Sequence, residues 1–165
     1  MAARLVAAAG IGPGELVLDL GAGTGALTAP LLAAGARVVA VELHPGRAAA
    51  LRRRFAGAVL EVRGGDLARL RLPDEPFAVV ANPPWALAET VRSRLLGARE
   101  LRRADLLVPR WVARRWAADH RRITVGISVR AEAFRPVPRT GAAVAILGSA
   151  GHTPRPAPAR RGRDA

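Results

Sequence analysis

The sequence predicts an α/β domain built on a mostly parallel sheet that ends in an antiparallel hairpin. Three observations carry this reading: short apolar runs recur along the chain, helix-like stretches closed by glycine separate them, and the last two runs lack room for a crossover helix.

The runs are "LVLDL" (16–20), "RVVAVEL" (37–43), "AVLEV" (58–62), "FAVVAN" (77–82) and "ADLLV" (104–108). They are apolar almost throughout, as expected of parallel strands covered on both faces. Between them lie "GALTAPLLAAG", "PGRAAALRRRFAG" and "WALAETVRSRLLG", with apolar residues three and four apart and a terminal glycine. A further helix is predicted at "RWVARRWAADH". The extended runs "ITVGISVRAEAF" and "GAAVAILG" follow, joined by "RPVPRTG", so they are expected to pair antiparallel. Five parallel strands and this hairpin make a seven-stranded sheet. One domain is expected over 1–148, and a disordered, basic, Pro/Arg-rich tail over 149–165.

Composition narrows the class. At 165 residues and 50% hydrophobic content the chain can bury a sizeable core. There are no cysteines, which excludes disulfides and thiolate metal sites, and the three histidines show no metal-ligand spacing. The opening run "MAARLVAAAGIGPGE" is too short to span a bilayer and leads directly into a core-like strand, so a cytoplasmic, membrane-free monomer is expected. The 26 basic residues, all arginine, outnumber 13 acids, for a net charge of +13. A field of that size attracts polyanions, and nucleic acid is the expected partner.

The chemistry starts at "VLDLGAGTGALT". A strand ending near Asp19, then Gly21, Gly23 and Gly25 and a helix, allows backbone to approach a ligand closely. The pattern also fits a dinucleotide fingerprint, with Glu42 at the end of the second strand as the ribose-binding acid in either case. Two details favour S-adenosylmethionine. A carboxylate at Asp19 would repel a pyrophosphate but tolerates a cationic cofactor, and the third glycine stands at position 25. Asp66, after the third run, is either a helix N-cap or a ligand to the cofactor's adenine.

The fourth run ends in Asn82-Pro83-Pro84-Trp85, where two prolines forbid both helix and ladder. The Asn82 side-chain oxygen and the Pro83 carbonyl could accept the two hydrogens of an exocyclic amine, and Trp85 offers a face on which a base can stack. A structural reading remains for each of these: a rigid turn, and a core tryptophan. Trp111 and Trp116 flank Arg114 and Arg115, and core packing of at least one is expected. Arg110 and Arg114 share a helical face and could meet phosphates.

On these motifs, together with "VVAVELHP", "GGDLARLRLP", "ADLLVPRWVARRWA" and "VRAEAFRPVPRTGAAVAIL", the chain from about Leu5 to Gly148 resembles the rRNA adenine N6-methyltransferases. These comprise the erythromycin-resistance methylases and the small-subunit rRNA dimethyltransferases. The resemblance implies a Rossmann-like class I methyltransferase fold and S-adenosylmethionine as cofactor. It implies cofactor contacts from Gly21, Glu42, Asp66 and Asn82, extended here to Asp19, Gly23, Gly25, Leu43 and Leu67. It also implies a base clamp at Phe134 and rRNA as partner. The arginine and alanine bias inclines the reading to the 23S rRNA branch, with macrolide-type resistance as the consequence. The chain departs from the family in three ways: Pro83 replaces the usual Ile or Leu, Trp85 replaces Tyr or Phe, and the N-terminal Gln-x-Phe segment and C-terminal helical domain are lacking. Pro-Pro is commoner among guanine-N2 and DNA adenine methyltransferases, which remain alternatives. A non-catalytic RNA-binding relative is the alternative of another class, and a nicotinamide-dependent oxidoreductase is the weakest.

Overall fold

The computed structural model describes residues 1–131 and 141–149. Seven strands form one sheet: β1 (Leu16–Leu20), β2 (Arg37–Glu42), β3 (Leu60–Gly64), β4 (Phe77–Ala81), β5 (Leu101–Pro109), β6 (Ile123–Val129) and β7 (Ala142–Gly148). Their order is β3-β2-β1-β4-β5-β7-β6. The first five pair in parallel, and β7 runs antiparallel between β5 and β6. The expected mostly parallel seven-stranded sheet with a terminal hairpin is therefore present.

Five helices cover the faces: α1 (Ala2–Ala9), α2 (Thr28–Ala33), α3 (Pro45–Arg54), α4 (Ala88–Gly97) and α5 (Arg110–Asp119). Side chains alternate across a strand, so each strand feeds two cores. Leu16, Leu18 and Leu20 of β1 join Val79, Val91, Leu95 and Trp116 on the α4/α5 side. Val17 joins Leu5, Val6, Leu31 and Val80 on the α1/α2 side. Ala40 meets Leu51 of α3 in a third, smaller cluster.

Local chemistry sets the element ends. Gly10 closes α1 at φ 67°, a left-handed conformation suited to glycine. Pro45 opens α3, where its missing N–H is no loss, and the His44 side chain caps it by accepting the Gly46 amide at 3.1 Å. Arg52, Arg53 and Arg54 occupy the last turn of α3, where cations suit the helix dipole.

Several boundaries differ from the sequence expectation by a few residues, and three of them have a local cause. Strand β3 begins at Leu60 rather than 58, because Ala58 donates its amide to the Phe55 carbonyl in the turn that ends α3. Strand β5 begins at Leu101, three residues early, because Arg103 is neutralised by Asp105 two residues along the same strand, at 2.6 Å. Helix α2 is limited to Thr28–Ala33, because Gly25 stands at φ 86° and residues before Thr28 form a turn. The segment joining β6 to β7 and the tail from 150 onward lie outside the described residues. No described helix is long and apolar enough to cross a membrane.

Candidate active site

In a parallel sheet the strand ends at the point where chain order reverses leave a crevice, and here that point lies between β1 and β4. Its walls are the loops after β1, β2, β3 and β4. They enclose a cleft of about 350 Å³ lined by Gly21, Gly23, Glu42, Leu43, Arg47, Asp66, Leu67, Asn82, Pro83, Pro84 and Trp85, among others. That volume lies within the range of small-molecule sites. A larger groove of about 810 Å³ includes the first residues of β1, β2 and β3 in its lining, with the Arg37–Glu75 ion pair at 2.7 Å, and lies away from the carboxyl ends of β1 and β4. The smaller cleft, at the carboxyl ends of the strands, is the candidate site.

Glu42 organises one wall. It is 5% exposed; its carboxylate accepts the Gly23 amide at 2.9 Å and the His44 amide at 2.8 Å, and Arg47 Nε pairs with it at 3.2 Å. These donors offset the cost of burying the charge and fix the carboxylate at the cleft. Among the described residues, the oxygen that meets Gly23 accepts no second hydrogen bond.

The glycines act differently from one another. Gly21 has φ 77°, and a β-carbon there would meet Pro84 Cδ at 3.2 Å, so glycine keeps the first loop clear of the Asn-Pro-Pro turn. Gly25 does not line the cleft. A β-carbon there would stand 2.7 Å from Phe55 and 2.9 Å from Leu51, so this glycine serves the packing of loop against α3.

Asp19 is also placed differently from a cofactor contact. It is 1% exposed, absent from the cleft lining, and accepts the Thr28 hydroxyl at 2.7 Å. The side chain points beneath the glycine loop and ties β1 to the start of α2. Burial pushes its carboxyl up to about 7; the bonds from Thr28 lower it, and the nearby Glu42 charge adds a smaller upward push.

Asp66 is a cap, one of the two roles expected of it, and its position leaves the other open. It caps the turn Leu67–Arg69, accepting the Ala68 amide at 2.9 Å, and it lines the cleft. Across from it, Asn82 is exposed and Pro83 buried, and Trp85 is 54% exposed. The Pro84 carbonyl accepts the Leu87 amide at 2.9 Å, which folds the turn. Among the described residues no hydrogen bond engages the Asn82 side-chain amide.

Arg110 and Arg114 lie on α5, one strand away from the cleft and outside its lining. The Arg110 Nε is buried without a hydrogen-bond partner among the described residues. Trp116 is core, as expected of at least one tryptophan on this helix, whereas Trp111 is 58% exposed. Phe134 lies outside the described residues. Sequence reading missed Arg47, whose place on the first turn of α3, shortly after Glu42 and behind a Pro-initiated cap, is its only signal. Glu89 was missed as well. It accepts Trp116 Nε1 at 2.8 Å and pairs with Arg92 and with Arg115. Burial pushes its carboxyl up, but the bonds from Arg92 and Trp116 outweigh this and hold it below the usual range.

The sheet order, the glycine loop and the four convergent strand ends define a Rossmann-like methyltransferase. The chain belongs to the methyltransferase domain family, whose model matches residues 17–102. It is 37% identical over 163 residues to the ribosomal RNA small subunit methyltransferase A of Synechococcus sp. (strain JA-2-3B'a(2-13)), covering 86% of this chain and 56% of that protein. It is 36% identical over 158 residues to the rRNA adenine N-6-methyltransferase of Streptomyces fradiae, covering 86% of this chain and 49% of that protein. The chain thus spans about half the length of these curated relatives. Among solved structures it is similar to the 23S rRNA methyltransferase ErmE, with a TM-score of 0.83 and 27% identity over 92% of this chain and 68% of that one.

Proposed function

We propose that the protein is an S-adenosylmethionine-dependent RNA methyltransferase acting on the N6 amine of an adenine in rRNA. The observation that carries this reading is the unengaged Asn82 side chain on Asn82-Pro83-Pro84-Trp85, which faces Glu42 and Asp66 across one cleft.

The cleft fits the cofactor on several counts. Gly21 and Gly23 leave room for close backbone approach, the Glu42 carboxylate suits ribose hydroxyls, and Asp66 can accept from an adenine amine. Leu43 and Leu67 supply apolar flanks, and no arrangement of His, Asp and Glu among the described residues could hold a metal. The bound cofactor would supply an electrophilic methyl group on a sulfonium. Asn82 Oδ1 and the Pro83 carbonyl accept the two hydrogens of the target amine, localise its lone pair and aim it. No general base is needed, because the amine becomes strongly acidic as it forms its new bond. Trp85 stacks the base, which must be unpaired or flipped to enter. Arg110 and Arg114 meet RNA phosphates beside the cleft, and Phe134 contributes to clamping the base.

Similarity to the 23S rRNA methyltransferase ErmE supports 23S rRNA as substrate. Macrolide-type resistance as the consequence and the monomer as the acting unit are part of the same proposal. A second reading, small-subunit rRNA, is favoured by the relatives named for that subunit. Both are tested by incubating purified 23S rRNA, 16S rRNA and, in parallel, DNA with labelled cofactor and digesting to nucleosides. N6-methylated adenosine supports the reading. N2-methylguanosine, or label in DNA alone, would transfer the site to the alternatives left open by Pro83. Undetectable cofactor binding by calorimetry would favour a non-catalytic RNA-binding relative.

A further inference from the structure

Helix α5 carries two tryptophans with opposite fates. Trp116 is 1% exposed in the core, while Trp111, on the first turn, leaves its ring 58% exposed. A large aromatic ring held in water is unfavourable by its apolar area, and Val112, Ala113 and Trp116 already supply the buried face of this helix. Trp111 therefore contributes little to folding.

Its surroundings give the ring a direction and a charge. The Arg115 guanidinium, one turn along, lies 5.6 Å from the Trp111 ring centroid and pairs with Glu89 at 3.4 Å. Glu89 sits on the first turn of α4, directly after the Trp85–Leu87 turn that forms the mouth of the cleft. Helix α5 starts at the carboxyl end of β5, which pairs with β4, the strand that leads into Asn82. Trp85, Glu89, Arg115 and Trp111 thus follow one another from the cleft along the exposed side, with Arg110 and Arg114 on the same helix.

We infer that Trp111, held by Arg115, is a stacking platform for an unpaired nucleobase of the RNA next to the target base. This rests on the proposed RNA methyltransferase reading and adds a second contact site to it. The occupant follows from charge: a flat apolar ring with the Arg115 guanidinium 5.6 Å from its centroid and the exposed Arg114 on the same helix, on a chain of net charge +13, suits a base on an anionic backbone. A flipped adenine in the cleft leaves its neighbour unstacked on one side, and Trp111 replaces the lost partner.

The test uses the full chain. First, Trp85→Phe leaves Trp111 as the exposed indole, and single-stranded oligoadenylate should quench its fluorescence; Trp85→Phe/Trp111→Phe should lose that quench. Second, in methyl transfer to rRNA, Trp111→Ala should raise KM for RNA about tenfold with kcat and cofactor affinity nearly unchanged. Third, Trp111→Ala should leave the salt slope of RNA binding intact, whereas Arg114→Ala should reduce it by about one. Thermal melting of each variant checks folding. If wild type methylates RNA and Trp111→Ala does so with the same KM, the platform is refuted and the methyltransferase reading stands. If sedimentation shows that Trp111→Ala instead abolishes a dimer, the ring serves a second copy and the inference is wrong. If wild type neither binds nor methylates RNA, both fail.

Discussion

The Glu42 carboxylate accepts the Gly23 amide at 2.9 Å, joining the end of the second strand to the glycine loop that follows the first. One side chain therefore holds the loop's shape and presents an acceptor to the cleft. Glu42→Gln keeps the size but loses the charge and turns one oxygen into a donor that faces an amide. Cofactor affinity measured by calorimetry is expected to fall about tenfold to a hundredfold. Unchanged affinity would remove Glu42 from the ribose site.

Gly25 tests the packing role assigned to it. Alanine would place a carbon 2.7 Å from Phe55 and 2.9 Å from Leu51, at a backbone φ of 86° that L-residues avoid. Gly25→Ala should cost about 2 kcal/mol or more, read as a lower urea midpoint. Gly23→Ala, whose β-carbon has only Gly21 O nearby at 3.9 Å, should cost less stability and more cofactor affinity.

Asp19 makes stability depend on pH in a defined direction. Its carboxyl, raised from 3.8 to about 7 by burial, binds its proton more tightly folded than unfolded. The stabilisation is fully present below pH 4 and is lost as pH rises through 7, flattening above. The total is on the order of a few kcal/mol. Wild type minus Asp19→Asn, followed by urea midpoint from pH 4 to 8, should show that decline, since asparagine keeps an acceptor for Thr28 but does not titrate. A difference that stays flat across this range would contradict the buried, protonated Asp19.

Arg47 sits on the same carboxylate as the proposed ribose contact, at 3.2 Å and with its side chain 55% exposed. Arg47→Ala should leave the melting temperature within about 2 °C, because surface ion pairs contribute little. A drop well beyond that would give the pair a structural role.

Much of this was legible in the sequence because parallel strands bury both faces and so read as unbroken apolar runs. Glu42 and Asn82 were placed at the cleft for the same reason, because a polar residue that ends such a run stands at a strand end, and Asp66 because it follows the third run closely. What was not legible is direction. Asp19 lies two residues before the glycine loop, yet alternation on β1 turns it under the loop towards Thr28. Trp111 and Trp116 are both tryptophans on one short helix, and only the packing of α5 on the sheet decides which is buried. Helix α1 was read as a short apolar run. Its alanines and the Gly10 stop fit a helix, but eight residues form one only when packed against a partner, here Leu31 and Val80. The arginine clusters were read as a nucleic-acid footprint, and part of them is structural: Arg122 donates to the Gly148 and Leu96 carbonyls, and Arg103 pairs with Asp105.

The central claim is that Asn82 orients a base amine for methyl transfer. It is tested most directly by label transfer from S-adenosylmethionine to purified 23S and 16S rRNA, comparing wild type with Asn82→Ala and identifying the labelled nucleoside. Labelled N6-methyladenosine in wild type, reduced about a hundredfold or more in the variant while a cofactor analogue still binds, is the expected result. Equal labelling by Asn82→Ala, or label in a nucleoside other than adenosine, would contradict it.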